Sequence, residues 1–164
     1  MDENFGKADS YTKWRAVNDG VMGGRSSGGP SFENGYMVFK GNINTDGGGF
    51  SSVRADVTPG QLSGAIGLSL RVKSDGRNYK ITLRTDERYN LRPVSFQVAI
   101  PQTPTGKWST VSVQFDDLVA SVFGRSVMGA TFNKSNIKEL GIILADGRDG
   151  AFRLDIDWIK AYAG

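Results

Sequence analysis

The chain contains no cysteine and no histidine. Disulfide staples, thiolate nucleophiles, Cys/His zinc sites and imidazole acid–base catalysis are therefore excluded. Only carboxylate, hydroxyl, lysine or tyrosine chemistry is left, and no cofactor is expected. Long apolar runs are missing too, since no window reaches the ~18 apolar residues of a membrane-spanning helix. A dominant sign of charge is also absent: Lys+Arg at 20 against Asp+Glu at 17 leaves only +3. The charges are scattered, without the basic run that marks a nucleic-acid arm or a polybasic membrane patch, so no nucleic-acid partner is expected. The opening residues MDENFGKADS are acidic and polar and carry no signal-peptide core. With no address visible, a cytoplasmic location is the expectation.

Glycine, in contrast, is abundant at 22 of 164 residues. It recurs after Asp or Asn, in pairs such as Asn34-Gly35 and Asp75-Gly76, where positive φ suits a hairpin. Between these breaks, apolar residues alternate with polar ones. Ile66, Leu68, Leu70 and Val72 oppose Ser69, Arg71 and Lys73; Tyr79, Ile81 and Leu83 oppose Lys80, Thr82 and Arg84. The pattern returns in Val94–Ile100, in Trp108–Phe115 and in Phe152–Ile156. Period-two alternation predicts strands with one buried and one polar face. Residues 1–13 read as a lead-in, and 14–162 as a single all-β domain, an antiparallel sandwich of about eight to ten strands. Leu140–Ala145 is apolar throughout and reads as a strand buried on both faces. Residues 116–128 suit either a short helical turn or a loop.

The most unusual stretch is Trp14–Ser27, WRAVNDGVMGGRSS. Trp14, Val17, Val21 and Met22 follow neither a helical nor a strand period, which predicts an ordered loop clamped over the core. Gly20–Gly29 and Gly47–Gly49 invite comparison with a phosphate cradle. Neither carries G-x-x-x-x-G-K-[ST], so tight loops folded over one end of the sandwich are the better reading.

Candidate binding residues come from the polar faces. If Ser74–Arg77 turns a hairpin, Arg71 and Arg84 fall near a cross-strand pair, with Tyr79 close by. Together with Arg54, Thr82, Gln97, Ser112 and Gln114 they make a polar floor suited to a sugar or a carboxylate. The competing reading is a solvated sheet face. Asp19, Met22 and Arg25 offer a second set on the Trp14–Ser27 loop. Asp155 and Asp157, Asp116-Asp117 and Asp146/Asp149 supply hard oxygens, but none has EF-hand spacing, and pairing with Arg153 or Lys160 is expected instead of a metal. Trp14, Trp108 and Trp158 are expected in the core.

Read together, Trp14…Val17-Asn18-Asp19-Gly20-Val21-Met22-Gly23-Gly24…Ser26 resembles the opening of the complex I intermediate-associated protein 30 family. The later blocks follow in order: Gly48-Gly49-Phe50-Ser51-Ser52-Val53-Arg54, Leu70-Arg71-Val72…Asp75-Gly76-Arg77…Tyr79, Phe115-Asp116-Asp117-Leu118, and Phe152-Arg153-Leu154-Asp155-Ile156-Asp157-Trp158. The resemblance implies a galactose-binding-like jelly roll and a non-catalytic role. The family's eukaryotic members are mitochondrial assembly factors for respiratory complex I, and related domains occur in bacteria and photosynthetic organisms. With no transit peptide in view, a bacterial stand-alone member is expected. The function expected is a binding or assembly module with a protein partner; a carbohydrate-binding module using the polar sheet face is the alternative.

Overall fold

Alternating residues can be buried on one face only if a second sheet covers that face, and the chain builds two. The computed structural model describes residues 1–5 and 13–164. In chain order the strands are β1 (Asp2–Asn4), β2 (Trp14–Asn18), β3 (Ser27–Glu33), β4 (Tyr36–Ile43), β5 (Ser51–Asp56), β6 (Gly67–Ser74) and β7 (Tyr79–Tyr89). They continue as β8 (Arg92–Ala99), β9 (Trp108–Gln114), β10 (Val119–Val122), β11 (Arg125–Ser126), β12 (Glu139–Leu144) and β13 (Gly150–Tyr162). The first sheet runs β3-β4-β13-β6-β9, with β1 also on β13; the second runs β11-β10-β8-β7-β12-β5-β2. Every pairing is antiparallel. The fold is an antiparallel β-sandwich, as the alternation predicts, of the jelly-roll kind that the family resemblance implies.

The inward rows meet between the sheets. Leu68, Leu70, Val72, Phe39, Leu154 and Ile156 from the first sheet face Val53, Ile81, Leu83, Phe96, Leu140 and Ile142 from the second, all buried. Fully burying such side chains contributes about 1.5–3 kcal/mol each, an upper estimate before chain entropy is set against it. Phe39, Tyr79 and Phe152 close one end of this core edge to face, with Phe39 and Phe152 centroids 4.8 Å apart. Asn34 and Gly35 turn the β3–β4 hairpin at φ 51° and 84°, the left-handed pair expected of Asn-Gly.

Several elements differ from the sequence reading. Ser74–Arg77 does not turn a hairpin: β6 lies in the first sheet and β7 in the second, so the segment arches across the sandwich. Its side chains hold the arch. Arg77 pairs through two nitrogens with Asp146, at 2.6 and 2.9 Å, and donates to the carbonyls of Arg148, Gly150 and Ala151. Asp75 accepts from the Tyr79 hydroxyl and from the Arg153 backbone N–H. Trp14–Asn18 is an edge strand, hidden in the sequence because its burial does not alternate: Trp14 is buried, Arg15 and Ala16 are exposed, and Val17 and Asn18 are half-buried. Residues 2–4 pair with β13 and Phe5 is fully buried, so the lead-in starts as part of the sandwich. The rest of that lead-in, 6–12, lies outside the described residues. Phe115–Asp117 forms a single 3-10 turn, and the uncertain stretch after it folds as the β10–β11 hairpin.

Candidate functional site

The outward face of the second sheet carries the candidate site, and its register sets three cross-strand rows. One row is Arg15, Arg54, Gly141, Thr82, Gln97 and Val119. The next is Asp56, Glu139, Arg84, Ser95 and Ser121, and the third is Val17, Ser52, Ile143, Lys80 and Ala99. Over this floor lies a cleft of about 560 Å³, walled by Phe50 and Val17 on one side and by Phe123-Gly124 on the other. Gly141 keeps the floor open. A Cβ there would sit 2.6 Å from the Thr82 hydroxyl and 3.2 Å from the Arg54 Cγ.

Charge in the cleft is unbalanced. Arg54, Lys80 and Arg84 line it, with no carboxylate lining it among the described residues. Beneath them Glu139 is shared by three arginines. Its Oε2 accepts from Arg15 at 2.7 Å, while Oε1 lies 3.6 Å from Arg54 Nη1 and 3.5 Å from Arg84 Nε. Among the described residues, neither Arg84 Nε nor Glu139 Oε1, both buried, has a hydrogen-bond partner. Burial first, then the neighbouring Arg84 and Arg15 charges, lower the Arg54 pKa against the pull of Glu139. The site is short of negative charge.

The Trp14–Ser27 stretch braces one wall. Asp19 is fully buried. Its carboxylate accepts backbone N–H bonds from Ser26 at 2.9 Å, Gly49 at 2.7 Å and Phe50 at 3.2 Å. Burial raises its pKa, but the bonds from Ser26, Gly49 and Phe50 more than offset this and leave it below its ordinary value of 3.8. The glycine-rich loops therefore do cradle an anion through backbone N–H groups, and that anion is the chain's own Asp19. Gly24 and Gly48 pack against the same carboxylate so closely that a Cβ on either would approach within 2.6 Å.

The residues singled out from sequence are not brought together. Arg54 and Arg84 share the cleft. Arg71 does not: it lies on β6 in the opposite sheet, pairs with Asp157 at 2.8 Å and covers the Trp108 ring at 4.8 Å. Tyr79 is a core residue, its hydroxyl pKa pushed up by burial and by Asp75. Ser112 and Gln114 follow Arg71 into the first sheet. Arg25 is exposed beside the Asp19 cage, and the side chain of Met22 lies outside what is described. Trp14 is in the core, whereas Trp108 and Trp158 are half-buried on the outer face of the first sheet beneath Arg71, Lys73 and Lys160. On that face Asp155 is paired with Lys73 and Arg153. Among the described residues no group of three or more acidic side chains gathers to hold a metal ion, and no helix is long and apolar enough to cross a membrane.

Sequence reasoning missed Glu139, Gly141, Lys80, Phe50 and Phe123 as parts of one site. Only strand order, which alternation does not carry, makes them neighbours. It also missed two hairpin tips. Leu91 at φ 67° and Phe123 at φ 49° occupy the left-handed region, 90% and 62% exposed. Large apolar residues there carry a backbone cost of roughly 1–2 kcal/mol each. Tyr89, Val119 and Met128 are exposed as well.

Comparison with known proteins places this geometry. Residues 3–156 match the model of complex I intermediate-associated protein 30. The chain belongs to the complex I intermediate-associated protein 30 family. Over 98 residues it is 32% identical to a probable mitochondrial complex I intermediate-associated protein 30 of Caenorhabditis elegans, an alignment covering 58% of this chain and 28% of the relative. The chain thus spans well under half of that relative's length. Among solved structures, the family 11 carbohydrate-binding module of Clostridium thermocellum, in complex with a β-1,3-1,4-mixed-linked tetrasaccharide, superposes with a TM-score of 0.71. Its identity is 17%, over 99% of this chain and 96% of that one. A family 30 carbohydrate-binding module gives 0.59 at 14% identity, over 100% of this chain and 89% of its own. At such identities the likeness establishes the shared fold.

Proposed function

We propose that the chain is a non-catalytic recognition module of assembly-factor type, and that the cleft on the second sheet holds a protein partner. One observation carries the reading: the Phe123 wall of the cleft is itself an exposed apolar hairpin tip, and exposed Tyr89 and Leu91 stand at the neighbouring β7–β8 turn. Exposed apolar side chains beside a basic cleft suit a protein interface. Membership of a family described by association with complex I intermediates supports the same role. The test uses the wild type and the double variant Arg54→Glu/Arg84→Glu as baits in native extract. A discrete partner retained by wild type and by Arg71→Glu, but lost in the double variant, supports the reading. Equal recovery by all three sinks it.

A second reading, a carbohydrate ligand, is favoured by the polar lining of Ser95, Gln97 and Ser121 between Phe50 and Phe123, since aromatic faces and hydroxyls suit sugar rings. A glucan that stabilises wild type and not Phe123→Ala distinguishes it. At ~100 times its dissociation constant such a ligand adds about 2.7 kcal/mol.

A further inference from the structure

Beside the cleft lies a second hollow of about 450 Å³, reached across Phe123 and lined by Tyr89, Asn90, Arg92, Val122, Arg125 and Val127. Its charged lining residues, Arg92 and Arg125, repeat the sign of Arg54, Lys80 and Arg84, and among the described residues neither hollow has an acidic lining residue. The chain as a whole is nearly balanced at +3, so this one-sided lining is local. Arg92 covers the Phe123 ring at 5.1 Å, joining the two hollows through one aromatic wall. Buried Arg84 Nε, 3.5 Å from Glu139 Oε1 and with no hydrogen bond among the described residues, belongs to a residue lining the first.

Both tips are also held at a cost. Asn90-Leu91 and Phe123-Gly124 turn their hairpins at positive φ, and glycine or asparagine would fill positions 91 and 123 with less strain. Strained, exposed apolar residues beside a basic groove are the kind of outlier from which a functional hypothesis is drawn.

We propose that the occupant is an extended protein segment in which acidic side chains alternate with apolar ones. Its carboxylates meet Arg54 and Arg84 in the cleft and Arg92 and Arg125 in the hollow, while its apolar side chains pack on Phe123, Leu91 and Tyr89. This rests on the protein-partner reading above and names the partner's chemistry. Aliphatic Leu91 and Met128 suit a peptide's side chains better than a sugar, which stacks on aromatic rings. Guanidinium groups bind carboxylates through paired N–H donors, so they select acidic over neutral segments.

The experiment is selection of random displayed decapeptides on the wild type, Arg54→Gln/Arg84→Gln and Arg71→Gln, with the folded state of each checked by thermal melting. Peptides enriched in Asp and Glu next to apolar residues are expected on wild type and on Arg71→Gln. Their affinity should fall at least tenfold in the double variant and should weaken with salt. Enrichment of neutral or basic peptides overturns the acidic assignment and leaves the protein-partner reading standing. No peptide enrichment, with a thermal shift in polygalacturonate or mixed-linkage glucan, overturns both.

Discussion

Asp19→Asn removes the charge that holds two glycine-rich loops together, and the structure sets its size. Three backbone N–H groups converge on the carboxylate. The asparagine oxygen can keep the Gly49 and Phe50 bonds, but its NH2 group then faces the Ser26 N–H, donor to donor. Two charge-assisted bonds become neutral, at about 1 kcal/mol each, and one buried donor is left unmet at about 1–3 kcal/mol. Allowing for relaxation, the loss is about 3 kcal/mol, or a fall of roughly 6–12 °C in Tm for a domain of this size. Urea unfolding followed by tryptophan fluorescence measures it. The pH dependence provides a second check. Because the folded-state pKa lies below 3.8, the aspartate's advantage is complete above that pH. It is lost as pH falls through the depressed folded-state value, so the gap between wild type and variant should close in acid. A cycle with Gly24→Ala sharpens the test. The nearest atoms to a Cβ at Gly24 are those of the Asp19 carboxyl, at 2.3–2.7 Å, so its cost should fall in an Asp19→Ala background. A loss below about 0.5 kcal/mol at neutral pH, the range of an ordinary surface change, would refute the cage.

Arg77→Ala leaves Asp146, whose side chain is 1% exposed, without its counter-charge, and should cost about 3–5 kcal/mol by denaturant titration. Gly141→Ala forces a Cβ to 2.6 Å from Thr82 Oγ1 and 3.0 Å from the Val53 carbonyl; overpacking of about 1–3 kcal/mol is expected, with loss of partner binding because Arg54 is displaced. Leu91→Asn should stabilise the fold by about 1 kcal/mol, since Asn tolerates the left-handed region, while weakening partner binding. Tyr79→Phe should cost about 1 kcal/mol through the lost bond to Asp75 and leave partner binding unchanged.

What the sequence revealed and what it hid have one physical basis. Alternation reports which side of a strand is buried, so Leu68, Leu70, Val72, Tyr79, Ile81 and Leu83 were all readable as inward. It does not report whether two consecutive strands lie side by side or face to face. For β6 and β7 the latter holds, and Arg71 and Arg84 therefore stand on opposite outer surfaces. Arg54 and Arg84 were legible as polar-face residues. Their meeting over Glu139 was not, because three strands distant in sequence build it. The Trp14–Ser27 stretch stood out by its glycines and aperiodicity, yet the reason for them, Asp19 filling a cradle of N–H groups, needs the partner loop at 47–50 in place. Trp108 read as a core residue because it opens an alternating strand; its register opposite Lys73 turns it outward.

The most direct test of the cleft as the recognition surface is site-specific photo-crosslinking in native extract, with the reactive group placed at Phe123 and, as a control, at Thr110 on the opposite sheet. The account predicts one crosslinked protein from position 123, abolished by Arg54→Glu/Arg84→Glu, and none from position 110. Capture from position 110 that survives the double substitution, with position 123 silent, would contradict it and move the functional surface to the other face of the sandwich.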